Sequence, residues 1–303
     1  MSGTALVTGG NSGIGLECTR ALAGAGWRVL IASRNRAASE AAARHIHHGK
    51  VEVLDLDLSA FDSVRALVRT IESSDIALDA LVCNAGLQFM KGPRLSSEGI
   101  ELTIGANHLG HFLLANLLLE RLAARAPARI VVVSSGVHDP AMKTGLPRPE
   151  IGDFETLLAT GGAKKGEFNG LLAYVNSKLC NLWFAYELAR RTDPKKITVN
   201  GWEPGLVPGS GLARDYAPIL QFLWNWVAPG LAAAISPFYP GVSTARKSGE
   251  ALARMVTDPT LAGETGKYFP SHTHWNEAPS SVDSYDTERA RWLWEASARV
   301  TRL

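Results

Sequence analysis

Thr4-Ala5-Leu6-Val7-Thr8-Gly9-Gly10-Asn11-Ser12-Gly13-Ile14-Gly15 is the stretch on which the fold of this chain turns. Residues 4–8 read as a short apolar strand, and residues 13–25 have helical spacing. The glycine loop between them follows a strand and opens a helix, the setting in which such a loop binds a dinucleotide rather than only turning the chain. Gly9 permits the tight turn. Gly13 and Gly15 let backbone approach a pyrophosphate at the helix N-terminus, where unpaired N–H groups favour an anion.

Outward from this unit, strand and helix patterns alternate. Strands are expected at 28–32, 51–54, 80–83, 129–134, 197–201 and 267–269, and helices at 37–48, 62–73, 98–124 (one long or two abutting) and 173–191. Continuous β-branched runs between helices indicate a parallel sheet covered on both faces. The expectation is one doubly wound α/β domain of the Rossmann type over residues 1–303, with a mostly parallel seven-stranded sheet and right-handed crossovers. Two irregular stretches, 138–169 and 205–242, are too long for ordinary loops and read as substrate-side insertions.

Tyr174-Val175-Asn176-Ser177-Lys178 carries the second signal. Residues four apart share a helix face. An ammonium close to a phenol favours the phenolate and draws its pKa down from ~10. A phenol tuned toward neutrality can give or take a proton during reaction. Tyr-x-x-x-Lys alone is common in helices; with the glycine loop it points to a nucleotide-dependent redox enzyme.

The 303 residues are 46% hydrophobic and 20% charged, enough for a sizeable core, and the net charge of +2 gives no field for a nucleic-acid partner. Cys18, Cys83 and Cys180 are far apart and in no metal spacing, which suggests reduced thiols and a cytoplasmic location. His45, His47, His48, His272 and His274 make no ligand set, so no metal is expected. Strand pattern begins near the N-terminus without a basic and then apolar lead, so no signal peptide is expected. Residues 219–239 form a 21-residue apolar run, near the ~20 that a spanning helix needs. Gln221, Asn225 and Pro229-Gly230 interrupt it and Pro237 and Pro240 close it, which favours a lid or docking helix pair, with peripheral membrane contact through Trp224 and Trp226 left open.

At this point the residues carry a resemblance. Thr8–Gly15, Asn84-Ala85-Gly86, Asn107, Ser134-Ser135, Tyr174 with Lys178, and Pro204-Gly205 stand in the order found in short-chain dehydrogenases/reductases, and the chain resembles that family over essentially its whole length. Within it, the run 107–114, Cys180-Asn181, the tail 286–296 and the 39-position gap from Ser135 to Tyr174 are similar to the branch of protochlorophyllide oxidoreductases and retinol dehydrogenases. The resemblance implies that Tyr174 protonates a carbonyl oxygen as hydride arrives. It implies that Lys178 tunes Tyr174 and holds the nicotinamide ribose, that Ser135, in competition with Ser134, donates to the developing alkoxide, and that Asn107 anchors a water. It further implies cofactor contacts from Thr8, Gly9, Asn11, Ser12, Gly13, Ile14, Gly15, Asp57, Leu58, Asn84, Ala85, Gly86, Tyr174, Lys178, Pro204, Gly205 and Val207. Asp57 could equally cap the helix that begins near residue 62.

Charge suggests which cofactor. A carboxylate usually ends the second strand where NAD is preferred. Here Ser33 fills that place and Arg34 follows, a guanidinium suited to a 2′-phosphate, with Arg36 in support; the expected cofactor is NADP(H). The expected reaction is reduction of a carbonyl on a bulky apolar small molecule. Reduction of an activated C=C bond and NADPH sensing without turnover are the alternatives. Leu206 stands where protochlorophyllide reductases carry a functional cysteine, which argues against light-driven pigment reduction, and Ser210 stands near the usual phosphate-covering Thr. The helix bearing Tyr174 is apolar enough for a homodimer interface or for packing within the monomer.

Overall fold

The central strands are runs of aliphatic residues with no polar side, as strands covered on both faces require. The computed structural model describes residues 2–74, 76–164, 167–211, 215–239 and 241–303. Pro240 therefore lies outside the described residues, as do Lys165, Gly166, Leu212, Ala213 and Arg214 of the two expected insertions. The order is β1 (Thr4–Thr8), α1 (Gly13–Gly24), β2 (Arg28–Ser33), α2 (Arg36–Arg44), β3 (Lys50–Asp55), α3 (Phe61–Ser73), β4 (Ala80–Cys83) and α4 (Leu102–Ile104). A π-helical turn (Gly105–Leu109) leads into α5 (Gly110–Ala123), followed by β5 (Ala128–Val133), α6 (Phe154–Thr160), α7 (Gly170–Arg191) and β6 (Ile197–Trp202). Then come α8 (Pro218–Phe222), a second π-turn (Leu223–Val227), α9 (Ala228–Ile235), α10 (Ala245–Thr257), β7 (Tyr268–Phe269) and α11 (Thr287–Thr301).

All seven strands are parallel, in the order β3-β2-β1-β4-β5-β6-β7. The order reverses between β1 and β4, and such a switch opens a crevice at the strands' carboxyl ends. Pleating sends neighbours to opposite layers. Leu6, Leu30, Leu81 and Ile130 pack with Val64 and Leu67 of α3 and Leu114 and Leu118 of α5. Ala5, Val7, Val29 and Val82 pack with Cys18 and Leu22 of α1 and Leu252 and Val256 of α10. Helix α7 is buried from residue 172 to residue 188, and Cys180 and Trp183 meet Ala290 and Leu293 of α11, so its apolar face is used within the chain.

Three differences from the sequence expectations have local causes. Helix α2 stops at Arg44, not 48: the ring of His45 bonds back to the Ala41 carbonyl, and the chain must turn through Gly49 (φ +74°) to start β3. The helix expected from 98 begins at 102, because the Ser96 hydroxyl accepts from the N–H groups of Glu98 and Ile100 in a turn, and Glu101 caps Ile104. Helix α10 is absent from the sequence expectation, although Thr244 caps it and residues 251, 252, 255 and 256 form one apolar stripe. Its central Gly249 reads as a breaker, yet a Cβ there would stand 2.3 Å from Glu17 Cβ, so the glycine is what lets α10 close on α1.

Candidate active site

A cavity of about 920 Å³ lies along the carboxyl ends of the strands, near the upper end of the ~300–1,000 Å³ range of ligand sites. Its wall takes residues just past β1 (Gly9), β2 (Arg34), β3 (Leu56, Asp57, Leu58), β4 (Asn84, Ala85, Gly86), β5 (Ser134, Ser135) and β6 (Glu203, Pro204, Gly205).

The phosphate end is built by the loop into α1. Ser12 precedes the helix in extended backbone, caps no N–H with its side chain, and no acid occupies the first turn. The first N–H groups of α1, on Gly13, Ile14 and Gly15, lack intrahelical acceptors and carry the positive end of the helix dipole. Gly13 has φ +53° with open space where a Cβ would project; at Gly15 a Cβ would stand 2.4 Å from the Gly9 carbonyl oxygen. In the facing wall the Ser210 hydroxyl is buried with no hydrogen-bond partner. Bare helix N–H groups, a cradle that side chains would fill and an orphaned hydroxyl fit a dinucleotide phosphate.

Asn11, Ser12, Gly13, Ile14, Gly15, Arg34, Asp57, Leu58 and Val207 all line the cavity. Asp57 does not cap α3; its Oδ1 accepts from the Ser59 N–H and hydroxyl. Arg34 is exposed, lines the cavity and makes no hydrogen bond or ion pair with another described residue. Arg36 corrects an expectation: it pairs with Glu40 and Asp55 and does not line the cavity.

Thr8 is a second correction. It is fully buried beneath the loop and forms no part of the cavity wall. Its hydroxyl accepts from the N–H groups of Asn84 (2.9 Å) and Ala85 (3.0 Å) and meets His111 Nε2 at 2.9 Å. His111 Nδ1 lies 3.0 Å from the Asn107 carbonyl, which can only accept, so Nδ1 carries the proton and Thr8 donates to Nε2. Burial lowers the His111 pKa to about 4, keeping the ring neutral. Thr8 thus pins the turn after β4 to β1. Thr8→Val strands two N–H groups and is expected to cost about 2–3 kcal/mol in a denaturant titration. Unchanged stability with weakened cofactor binding would return Thr8 to the cofactor.

The catalytic corner lies between β5 and α7. Asn169 caps α7, accepting from the N–H groups of Leu171 and Leu172. One turn in, Tyr174 and Lys178 face the cavity. The paired serines separate: the Ser134 hydroxyl donates to the Lys178 carbonyl (2.8 Å) and is buried, whereas Ser135 sits half-buried in the cavity wall, which it shares with Tyr174. The ring of His138 holds the Ser135 carbonyl (Nδ1, 2.6 Å) and accepts from the Ser281 N–H, tying this turn to the C-terminal segment.

Electrostatics revise the expected tuning. Burial pushes the Tyr174 phenol well above its usual value; the Ser135 hydroxyl opposes this, and the negative charge of Glu203 adds to it. Lys178 Nζ lies over the Tyr174 ring, 5.4 Å from its centroid, and donates to the Val133 carbonyl at 3.3 Å. Burial lowers its own pKa to about 8. With burial raising its pKa, Tyr174 is a protonated phenol at neutral pH.

Asn107 sits in the π-turn off the cavity wall, its amide spent on both main-chain groups of Leu87 and on the Ser177 hydroxyl. It braces α7 against the loop after β4. Sequence reading missed Glu203, whose carboxylate accepts from the N–H groups of Gly205 (2.6 Å) and Ser271 (2.8 Å) and from the Ser271 hydroxyl (2.9 Å) while facing the cavity. An acid directly before Pro204-Gly205 was the available signal.

The two insertions supply the far wall through Met142, Thr144, Leu146, Leu206, Tyr216 and Trp224. The segment 219–239 departs from the expected lid: only Trp224 reaches the cavity, its indole N–H bonded to the Ser210 carbonyl, and most of the apolar side chains face outward.

A dinucleotide cradle beside a Ser-Tyr-Lys corner on a doubly wound parallel sheet defines a nicotinamide-dependent oxidoreductase. A family model described as short chain dehydrogenase matches residues 3–144. Protochlorophyllide reductase B of Hordeum vulgare is 33% identical over 325 positions, spanning 100% of this chain and 79% of that protein. An uncharacterised protein from Mycobacterium paratuberculosis superposes with a TM-score of 0.72 at 29% identity, over 99% of this chain and 93% of that one. The NADP complex of Pseudomonas aeruginosa RhlG does so at 0.64 and 26%, over 88% and 94%. The chain belongs to the short-chain dehydrogenase/reductase family, close to the protochlorophyllide reductase branch.

Proposed function

We propose that this protein reduces a carbonyl group on a bulky apolar small molecule, with NADPH supplying the hydride. The observation that carries this reading is that two hydroxyls, Ser135 and Tyr174, line one cavity together with Lys178. A carbonyl oxygen has two lone pairs and gains charge as it becomes an alkoxide, so it uses both donors. Tyr174 gives up its Oη proton and Ser135 keeps a hydrogen bond on the oxygen. Lys178 presents an ammonium to the ribose side, and Leu87, Met142, Leu146 and Leu206 keep water from the reacting centre.

Arg34 supports NADPH over NADH. A guanidinium without a partner among the described residues can take a phosphate in a charge-assisted, forked contact. Arg34→Ala is expected to weaken NADPH binding roughly 10- to 100-fold and NADH binding no more than about twofold. Equal losses for both cofactors would sink this assignment.

A second reading, reduction of an activated C=C bond, is favoured by the barley relative's name and full-length similarity. It requires proton delivery to carbon, whereas Ser135 and Tyr174 offer the cavity two O–H groups suited to one oxygen. Turnover of NADPH with a bulky enone, followed by product analysis, decides between them: an allylic alcohol supports the carbonyl reading and a saturated ketone overturns it.

A further inference from the structure

Among the described residues, four charged side chains reach the cavity wall: Arg34, Asp57, Lys178 and Glu203. The sheet order separates them. Arg34 and Asp57 follow β2 and β3, on one side of the switch between β1 and β4. Lys178 and Glu203 stand on the other side, in the corner with Ser135 and Tyr174. A nicotinamide has to reach that corner to meet a substrate, so Glu203 is the one acid of the described wall at the redox end of the cavity.

Glu203 is fixed in place. Its main-chain N–H donates to the Phe269 carbonyl (3.2 Å), and its own carbonyl accepts from the Trp275 indole (3.0 Å). The side chain is buried, with Oε2 taking the N–H and the hydroxyl of Ser271, while Oε1 takes the N–H of Gly205. A Cβ built on Gly136 would stand 3.8 Å from Oε1, so that oxygen lies beside the turn that follows Ser135. These three donors hold the carboxylate without neutralising it, and no cation among the described residues forms an ion pair with it. A buried charge is ordinarily paired. Its field reaches the Tyr174 phenol, whose ionisation it opposes.

The reduced nicotinamide ring is neutral, and the oxidised ring carries one positive charge. We infer that Glu203 is the counter-ion of the oxidised nicotinamide: its fixed negative charge favours NADP+ over NADPH and so makes the bound cofactor a stronger hydride donor. This rests on the cofactor of the proposed function and not on its substrate. Glu203 meets the positive charge left behind as hydride departs with its electron pair for the carbonyl carbon and the Tyr174 proton passes to the oxygen. Arg34 and the glycine loop face phosphates that are the same in both oxidation states, so the ratio of the two affinities isolates the ring.

The test is calorimetric titration of the full chain with NADP+ and with NADPH. Glu203→Gln is expected to lower the preference for NADP+, read as the Kd for NADPH divided by that for NADP+, by about tenfold or more. Glu203→Asp keeps the charge and should hold that ratio within about threefold of the parent. The parent supplies a reading that needs no variant. Burial brings the Lys178 pKa to about 8, so at pH 9 that opposing ammonium is mostly discharged and NADP+ should bind more tightly than NADPH. An unchanged ratio in Glu203→Gln overturns the proposal, as does an equal loss in both variants, which would assign the effect to the shape of the Pro204-Gly205 turn. So does tighter binding of NADPH than of NADP+ by the parent at pH 9, whether or not the variants fold. A parent that binds neither nucleotide overturns the cofactor reading along with it.

Discussion

Tyr174→Phe is expected to lower kcat/KM for ketone reduction by about 10³-fold while leaving NADPH affinity within about twofold. The substitution removes one oxygen from a buried ring and changes no contact with the glycine loop. That oxygen is the proposed proton donor of the corner, and burial keeps it protonated across neutral pH. No other phenol takes its place: Tyr216 lies on the insertion side of the cavity, and Tyr186 and Tyr268 pack together in the core. Turnover within tenfold of the parent enzyme would remove Tyr174 from the acid role. Loss of NADPH binding in the variant would show that the ring holds the cofactor more than it serves the proton.

Lys178→Met is expected to do two opposite things: abolish turnover and raise the thermal midpoint. Lys178 is buried with the Val133 carbonyl and the face of Tyr174 near its ammonium, and no carboxylate among the described residues pairs with it. Desolvation pulls its pKa from 10.5 to about 8. The native chain then binds this proton less tightly than the unfolded chain. The cost is fully present below about pH 8 and is relieved as pH rises toward 10.5. At neutral pH the penalty is on the order of 2–3 kcal/mol, and methionine, of similar length and apolar, removes it. The same titration should appear in the parent enzyme as a fall in kcat/KM above about pH 8, where the ammonium is lost. A destabilised Lys178→Met, or a flat profile across that range, would mean that the ammonium is compensated in the native state.

Much of the scaffold was legible because the physics that shapes it is local. The run 4–15 places strand, turn and helix within one another's reach, and apolar continuity marks β4, β5 and β6 directly. Residues on the cavity wall, from Asn11 to Gly15 and at Arg34 and Ser135, follow from that frame, since each stands just past the carboxyl end of a strand. What was hidden depends on contacts distant in sequence. Thr8 belongs beneath the loop because β4 brings Asn84 and Ala85 to its hydroxyl, 76 and 77 residues on. Arg36 is taken by Asp55 of β3 once that strand pairs with β2. The expected Tyr174–Lys178 coupling was argued from helix spacing alone; how deeply both groups are buried emerges only when α7 packs against β5. Glu203 carries its meaning only when Ser271, 68 residues later, closes over it.

The single bridge that joins Leu206 to Val242 has a consequence for how this protein can diverge. The described residues between them lie outside the register of the seven strands and are tied back to the domain by Asp215, which accepts from Met90, Lys91 and Arg94, and by Ser236, which meets Lys247. Length and composition there can drift without disturbing the sheet, the glycine loop or the proton donor. This segment therefore behaves as an exchangeable cassette: grafting it between relatives at these two positions would replace the cavity wall around Trp224, while the sheet and the Tyr174 corner stay with the host.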